Sequence, residues 1–114
     1  MDKNLLIKHG IDYDDGVKRL MGNSVVFEKC LMKFPSDESF AMLKAELEAG
    51  NCSEAFKYAH NLKGLAGNLS MVKLFASANE CCEALRHGNI KDAKSLFPPV
   101  ERDYNEAISA LEVA

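Results

Sequence analysis

Every apolar pattern in this chain recurs at a spacing of three or four residues, and no run alternates apolar and polar positions with a period of two. Such a chain can bury its apolar side chains only as stripes along helices, so the expected fold class is all-α. Breakers and caps divide the pattern. A short amino-terminal helix covers Asp14 to Met21 and stops at Gly22, after a flexible start in which His9 has no partner. Asn23 or Ser24 caps a second helix, with Val26, Phe27, Cys30, Leu31 and Phe34 on one stripe, and Pro35 ends it. Ser36-Asp37 opens a third segment that runs to Ala49 with Phe40, Leu43 and Leu47 inward, and Gly50 closes it.

Asn51-Cys52-Ser53-Glu54 offers two caps for the next helix, and Glu54 can reach back to Asn51 as in a capping box. After Ser70, the residues Met71 or Val72, Phe75, Ala78, Cys82 and Leu85 give another helix, which ends at Gly88. Asn89 caps the last one. There Ile90, Ala93, Leu96, Val100, Tyr104 and Ile108 keep helical spacing, but Pro98-Pro99 removes two amide donors and is expected to kink or break the helix. Four helices longer than three turns with short connections imply an antiparallel up-and-down four-helix bundle with a short additional N-terminal helix.

A length of 114 residues suits one domain over the whole chain, 1–114, large enough to bury roughly two thirds of its unfolded surface around a single core. With 47% apolar residues, 27% charged and three prolines, the composition is that of a soluble globular protein, not of a disordered one. The net charge of -3 supplies no basic face for nucleic acid. Leu5-Leu6-Ile7 is too short an apolar stretch for a signal-peptide core, and no later run approaches membrane-spanning length. The expectation is a cytoplasmic monomer with no membrane partner, and the initiator Met1 points to a free-standing chain. Cys30, Cys52, Cys81 and Cys82 form neither a Cys-x-x-Cys pair nor a zinc pattern, so they read as reduced, mostly buried small apolar residues. Adjacent positions on a helix point about 100° apart, so at least one of Cys81 and Cys82 should be partly exposed.

The informative stretch is Tyr58 to Ser70. On a helical wheel, Ala55, Tyr58, Ala59, Leu62, Leu65, Ala66 and Leu69 form a buried side. His60 lies roughly 200° from Leu62, so it faces water, with Phe56, Lys57, Lys63, Gly64 and Gly67 within about 60° of it. Each glycine inside a helix costs roughly 1 kcal/mol relative to alanine. At Gly64 and Gly67 that cost fits a surface kept clear so that another macromolecule can approach the imidazole. Gly67 fits equally well a close packing against a neighbouring helix or the start of helix unwinding. Lys63 neighbours His60 at about 5–6 Å between Cβ atoms. Its ammonium disfavours imidazolium, leaving a free lone pair on the ring, and would meet a phosphoryl group with a charge-assisted hydrogen bond. Lys57 adds charge at longer range.

His60-Asn61-Leu62-Lys63-Gly64 resembles the His-x-Leu-Lys-Gly core of histidine-containing phosphotransfer (HPt) domains. Ile11-Asp12 followed by Gly16, Leu20, Gly22, Phe27, Leu31 and Phe34 resembles their amino-terminal part, so the likeness covers most of the chain. One departure is Ser70, where family members usually have glycine; a serine can cap the following helix. The resemblance implies a helical bundle and a phosphorelay role. His60 would accept a phosphoryl group from a receiver-domain aspartate, through Nε2, and pass it to another receiver. Lys63 would steady the moving charge, and Phe56, Lys57, Gly64 and Gly67 would meet the partner. The partners implied are response-regulator receiver domains and a hybrid sensor histidine kinase. The receiver would bring Mg²⁺, and the chain itself would hold no cofactor and have no independent turnover.

Other readings compete. Glu80, Glu83 and His87 share a helix face, but a di-iron bundle needs matching ligands on facing helices and a Glu-x-x-His pair is absent. They read as a solvated face with a histidine near a helix C-terminus, so no metal site is expected. No glycine-rich phosphate loop is present for ATP. An HPt-like module that docks on a receiver without transferring phosphate would tolerate His60→Gln. A plain structural bundle would tolerate Gly64→Arg as well.

Overall fold

Asparagine and glycine set several of the helix ends. In the computed structural model, which describes residues 1–114, the Asn23 side chain accepts from the Val26 N–H and the Asn89 side chain from the Asp92 N–H, at 3.1 and 3.0 Å. Gly50, at φ 76°, takes the left-handed conformation that ends a helix without steric cost. The resulting elements are α1 (Lys3–Lys8), α2 (Tyr13–Arg19), α3 (Ser24–Lys33), a 3-10 turn (Phe34–Ser36), α4 (Ser39–Ala49), α5 (Cys52–Asn68), α6 (Val72–Arg86) and α7 (Ile90–Val113). There is no strand. A single isolated bridge pairs Ile11 with Met71.

Helices α4 to α7 pack each against the next, and α4 returns against α7, which closes a four-helix bundle. Their links of two or three residues leave room only for antiparallel neighbours. The centre is one continuous cluster of 23 buried apolar residues. On α5 the buried positions Ala55, Ala59, Leu62 and Ala66 recur at helical spacing, and three alanines let α5 sit close to its neighbours. An aromatic stack fills the α4–α7 side, where the Phe40 and Tyr104 rings lie 4.0 Å apart and nearly parallel and Phe34 tilts onto Tyr104.

The amino-terminal helices plug one flank of the bundle. Phe27 is fully buried, with Tyr13 edge-on to it at 5.5 Å. Gly16 makes this possible, since a Cβ there would lie 2.2 Å from the Phe27 ring.

The structure departs from the sequence reading at several places. The start is not flexible: Asp2 caps α1 through the Leu5 N–H, Leu6 is fully buried, and His9 Nδ1 lies 3.2 Å from Glu106 Oε2. Helix α1 thus precedes the two helices, α2 and α3, that the sequence reading placed ahead of the Ser36–Ala49 segment. A six-residue helix carries too few apolar positions for periodicity to register. Helix α7 runs unbroken through Pro98 and Pro99. The carbonyls deprived of donors belong to Lys94 and Ser95, which are exposed, so water can satisfy them. Cys81 and Cys82 are both fully buried, because α6 is enclosed between α5 and α7. Val26, Cys30 and Phe75 are exposed instead of inward, and Leu74 takes the core position beside Met71. The Asn51–Glu54 capping box does not form; Asn51 donates to Glu46 and Glu54 pairs with Lys57.

Candidate functional site

Helix α5 is seventeen residues long, with His60 in its middle. Ala59 and Leu62, on either side of it in sequence, are buried, which turns the imidazole outward into solvent. Asn61 donates to the Ser39 hydroxyl on α4, tying the outer face of α5 to its neighbour. One turn before His60, the Phe56 ring is tilted at 46° with its centroid 5.8 Å from the imidazole. The Arg86 guanidinium, from the last residue of α6, lies 5.0 Å from the Phe56 ring centroid. Glu83 Oε1 accepts from Arg86 Nε at 3.1 Å. His60, Phe56, Lys57 and Arg86 line one open hollow together.

Lys63, Gly64 and Gly67 line a second, adjoining hollow with Asp15, Arg19 and Phe75. Gly64 is exposed, and a Cβ there would meet nothing within 4 Å. At Gly67 a Cβ would lie 3.3 Å from the Phe75 ring, so its missing side chain accommodates packing within the protein. Lys57 is paired with Glu54 at 2.9 Å, and that hydrogen bond holds its ammonium above the ordinary lysine range. Burial raises the Cys82 thiol, while the nearby charges of Lys63 and Arg86 pull it down.

The floor of the second hollow is the α5–α6 turn. Ser70 sits at φ 54°, in the left-handed region that glycine enters freely, and is buried. It does not cap α6, whose cap position is Met71. Its hydroxyl instead donates to Asp15 Oδ2 at 2.8 Å, and its carbonyl accepts from the Asp12 N–H at 2.8 Å. Positive φ directs the side chain back toward α2, away from the amides of α6. Asp15 also accepts from Arg19 Nε at 2.9 Å. These two donors, Arg19 foremost, hold the Asp15 carboxyl below the usual range.

The Hpt domain family model matches residues 35–113, which takes in α4 to α7 entire. The chain belongs to the Hpt domain family. No curated protein and no solved structure matches it. As an Hpt domain it is a histidine phosphotransfer module of phosphorelay signalling, of the kind that interacts with receiver domains and histidine kinases as a phosphocarrier. The helical bundle fits that membership, and no helix is long and apolar enough to cross a membrane.

Within this Hpt domain the residues singled out from the sequence divide between the two hollows. His60, Phe56 and Lys57 border the first; Lys63, Gly64 and Gly67 border the second. Two members of the surface escaped sequence reasoning. Arg86 reaches His60's hollow from a different helix, and only its i, i+3 pairing with Glu83 was open to local spacing. Asp15 meets Ser70 across 55 positions of chain, for which no local signal exists.

Proposed function

We propose that His60 is the phosphoacceptor of this Hpt domain, taking a phosphoryl group from the aspartyl phosphate of one receiver domain and giving it to the aspartate of another. The lone pair of His60 Nε2 forms the N–P bond while the P–O bond to the aspartate breaks, and its electron pair leaves on the carboxylate. The ring proton stays on Nδ1 until solvent removes it. In-line transfer demands that the partner's aspartate come within near-attack distance of the ring. The observation that carries this reading is the outward imidazole at mid-helix beside Gly64, where no atom stands within 4 Å of the missing side chain. Lys63 supplies positive charge for the phosphoryl oxygens, and the receiver supplies Mg²⁺ and most of the catalytic groups. Phe56, Lys57 and Gly64 form the meeting surface, with Gly67 at its edge leaving room for Phe75, and a hybrid sensor kinase is the upstream source.

The test is transfer from a panel of receiver domains, charged with a low-molecular-weight phosphodonor and Mg²⁺, to the wild type and to His60→Gln. An acid-labile, alkali-stable label on the wild type alone is expected. Receivers that bind without labelling the wild type would make the protein a docking module instead.

A further inference from the structure

Three cations surround His60, and they are not equivalent. Lys57 is engaged by Glu54. Lys63 is half-buried and borders the adjoining hollow. Arg86 lines the same hollow as the imidazole, and its guanidinium lies on the Phe56 ring, the ring that also neighbours His60. Glu83 occupies only Nε, so both Nη groups keep their donors free of any partner in the protein.

We infer that Arg86 is a second phosphoryl-binding cation of the His60 site, and that Phe56 is the positioning residue that holds it there. This rests on the reading of His60 as the phosphoacceptor. A phosphohistidine carries three oxygens and close to two negative charges, and a guanidinium fork matches that group with parallel N–H donors. Arginine remains protonated throughout, so Arg86 changes no proton balance and acts on charge alone. The aromatic face restrains the guanidinium by cation–π attraction, and the Glu83 pair fixes its rotation, which leaves the Nη edge as the free one. An arginine at a helix C-terminus paired three residues back is an ordinary feature of helices. Its placement over a ring adjoining His60 is not required by either effect. Phe56 thereby gains a task within the site besides contact with a partner.

Potassium phosphoramidate tests this without a partner. In that reaction Nε2 of His60 forms the N–P bond as the P–N bond of the donor breaks and ammonia leaves with the electron pair. A small donor has no docking surface, so a residue that serves only partner contact leaves the rate unchanged. The His60-dependent rate is the wild-type rate minus that of His60→Gln, which removes any reaction at His9 or His87. Arg86→Ala is expected to lower it about tenfold and to shorten the lifetime of the phosphohistidine. Arg86→Lys should recover part of both. Phe56→Leu should lower the rate about threefold, and adding it to Arg86→Ala should cost nothing further, because the platform then has nothing to hold. Unchanged rate and lifetime in a folded Arg86→Ala overturn the inference, and losses that multiply in the double variant overturn the role of Phe56. A wild type that gains no more phosphate than His60→Gln would instead refute the reading of His60 itself.

Discussion

Gly64 and Gly67 lie three residues apart on one face of α5 and answer different needs. Gly64 borders open space, whereas Gly67 leaves room for the Phe75 ring. Gly64→Arg should therefore slow transfer from a receiver at least about tenfold through obstruction, while thermal stability holds or rises by up to about 1 kcal/mol from improved helix propensity. Gly67→Ala should leave transfer nearly unchanged, since the exposed Phe75 ring can yield a few tenths of an ångström. Equal slowing by both substitutions would show that clearance is needed along the whole face. The wheel put both glycines beside His60 but could not tell them apart, because Phe75 comes from another helix. Ser70 shows the same limit. Its hydroxyl was legible as a polar group near a helix start, but its φ of 54° and its bond to Asp15, 55 positions away, leave no local signal.

The elements differ in how they are held. Bundle helices α4 to α7 carry apolar stripes, and ends such as Gly50 and Asn89 were legible in the sequence, whereas the continuity of α7 through Pro98 and Pro99 was not. The short helices α1 to α3 depend on contacts made across the chain. Gly16 against Phe27 is the tightest of these, and Gly16→Ala should destabilise the domain by about 2 kcal/mol, measured by chemical denaturation. A variant as stable as the wild type would mean that the Phe27 ring moves freely. Carboxylates supply further ties. Arg19 and then Ser70 lower the pKa of Asp15, and Lys73 and then His9 lower that of Glu106. A carboxyl held below its unfolded value stabilises the fold above that value and loses this contribution as pH falls through the folded one. Stability should accordingly decline below about pH 4, with amide exchange rising first in α1 and α2. The pair Asp15→Asn and Glu106→Gln should flatten that decline; an unaltered acid limb would place the sensitive groups elsewhere.

Across the whole molecule, the thiols report how tightly the bundle is closed. Cys30 is exposed and Cys52 half-buried, whereas Cys81 and Cys82 lie in the core. Burial pushes the Cys81 thiol up to about 11, so its thiolate is scarce at neutral pH and its reagent access requires unfolding. Alkylation of the native protein should proceed at Cys30, then Cys52, with Cys81 and Cys82 reacting only at the rate of global opening. Early reaction at Cys82 would mean that α5 and α6 separate locally. Two adjacent buried cysteines could not be read from a helical wheel, which assumes a helix with one wet side; α6 is flanked by α5 and α7. His60 was legible for the opposite reason, because exposure at the centre of an amphipathic helix depends on that helix alone.

Whether the phosphoryl group resides on His60 can be read directly by phosphorus NMR of the native protein after incubation with a charged receiver domain and Mg²⁺. A phosphoramidate resonance is expected in the wild type, lost on mild acidification and absent from His60→Gln. The same resonance in the His60→Gln protein, or none in a wild type that binds the charged receiver, would contradict it.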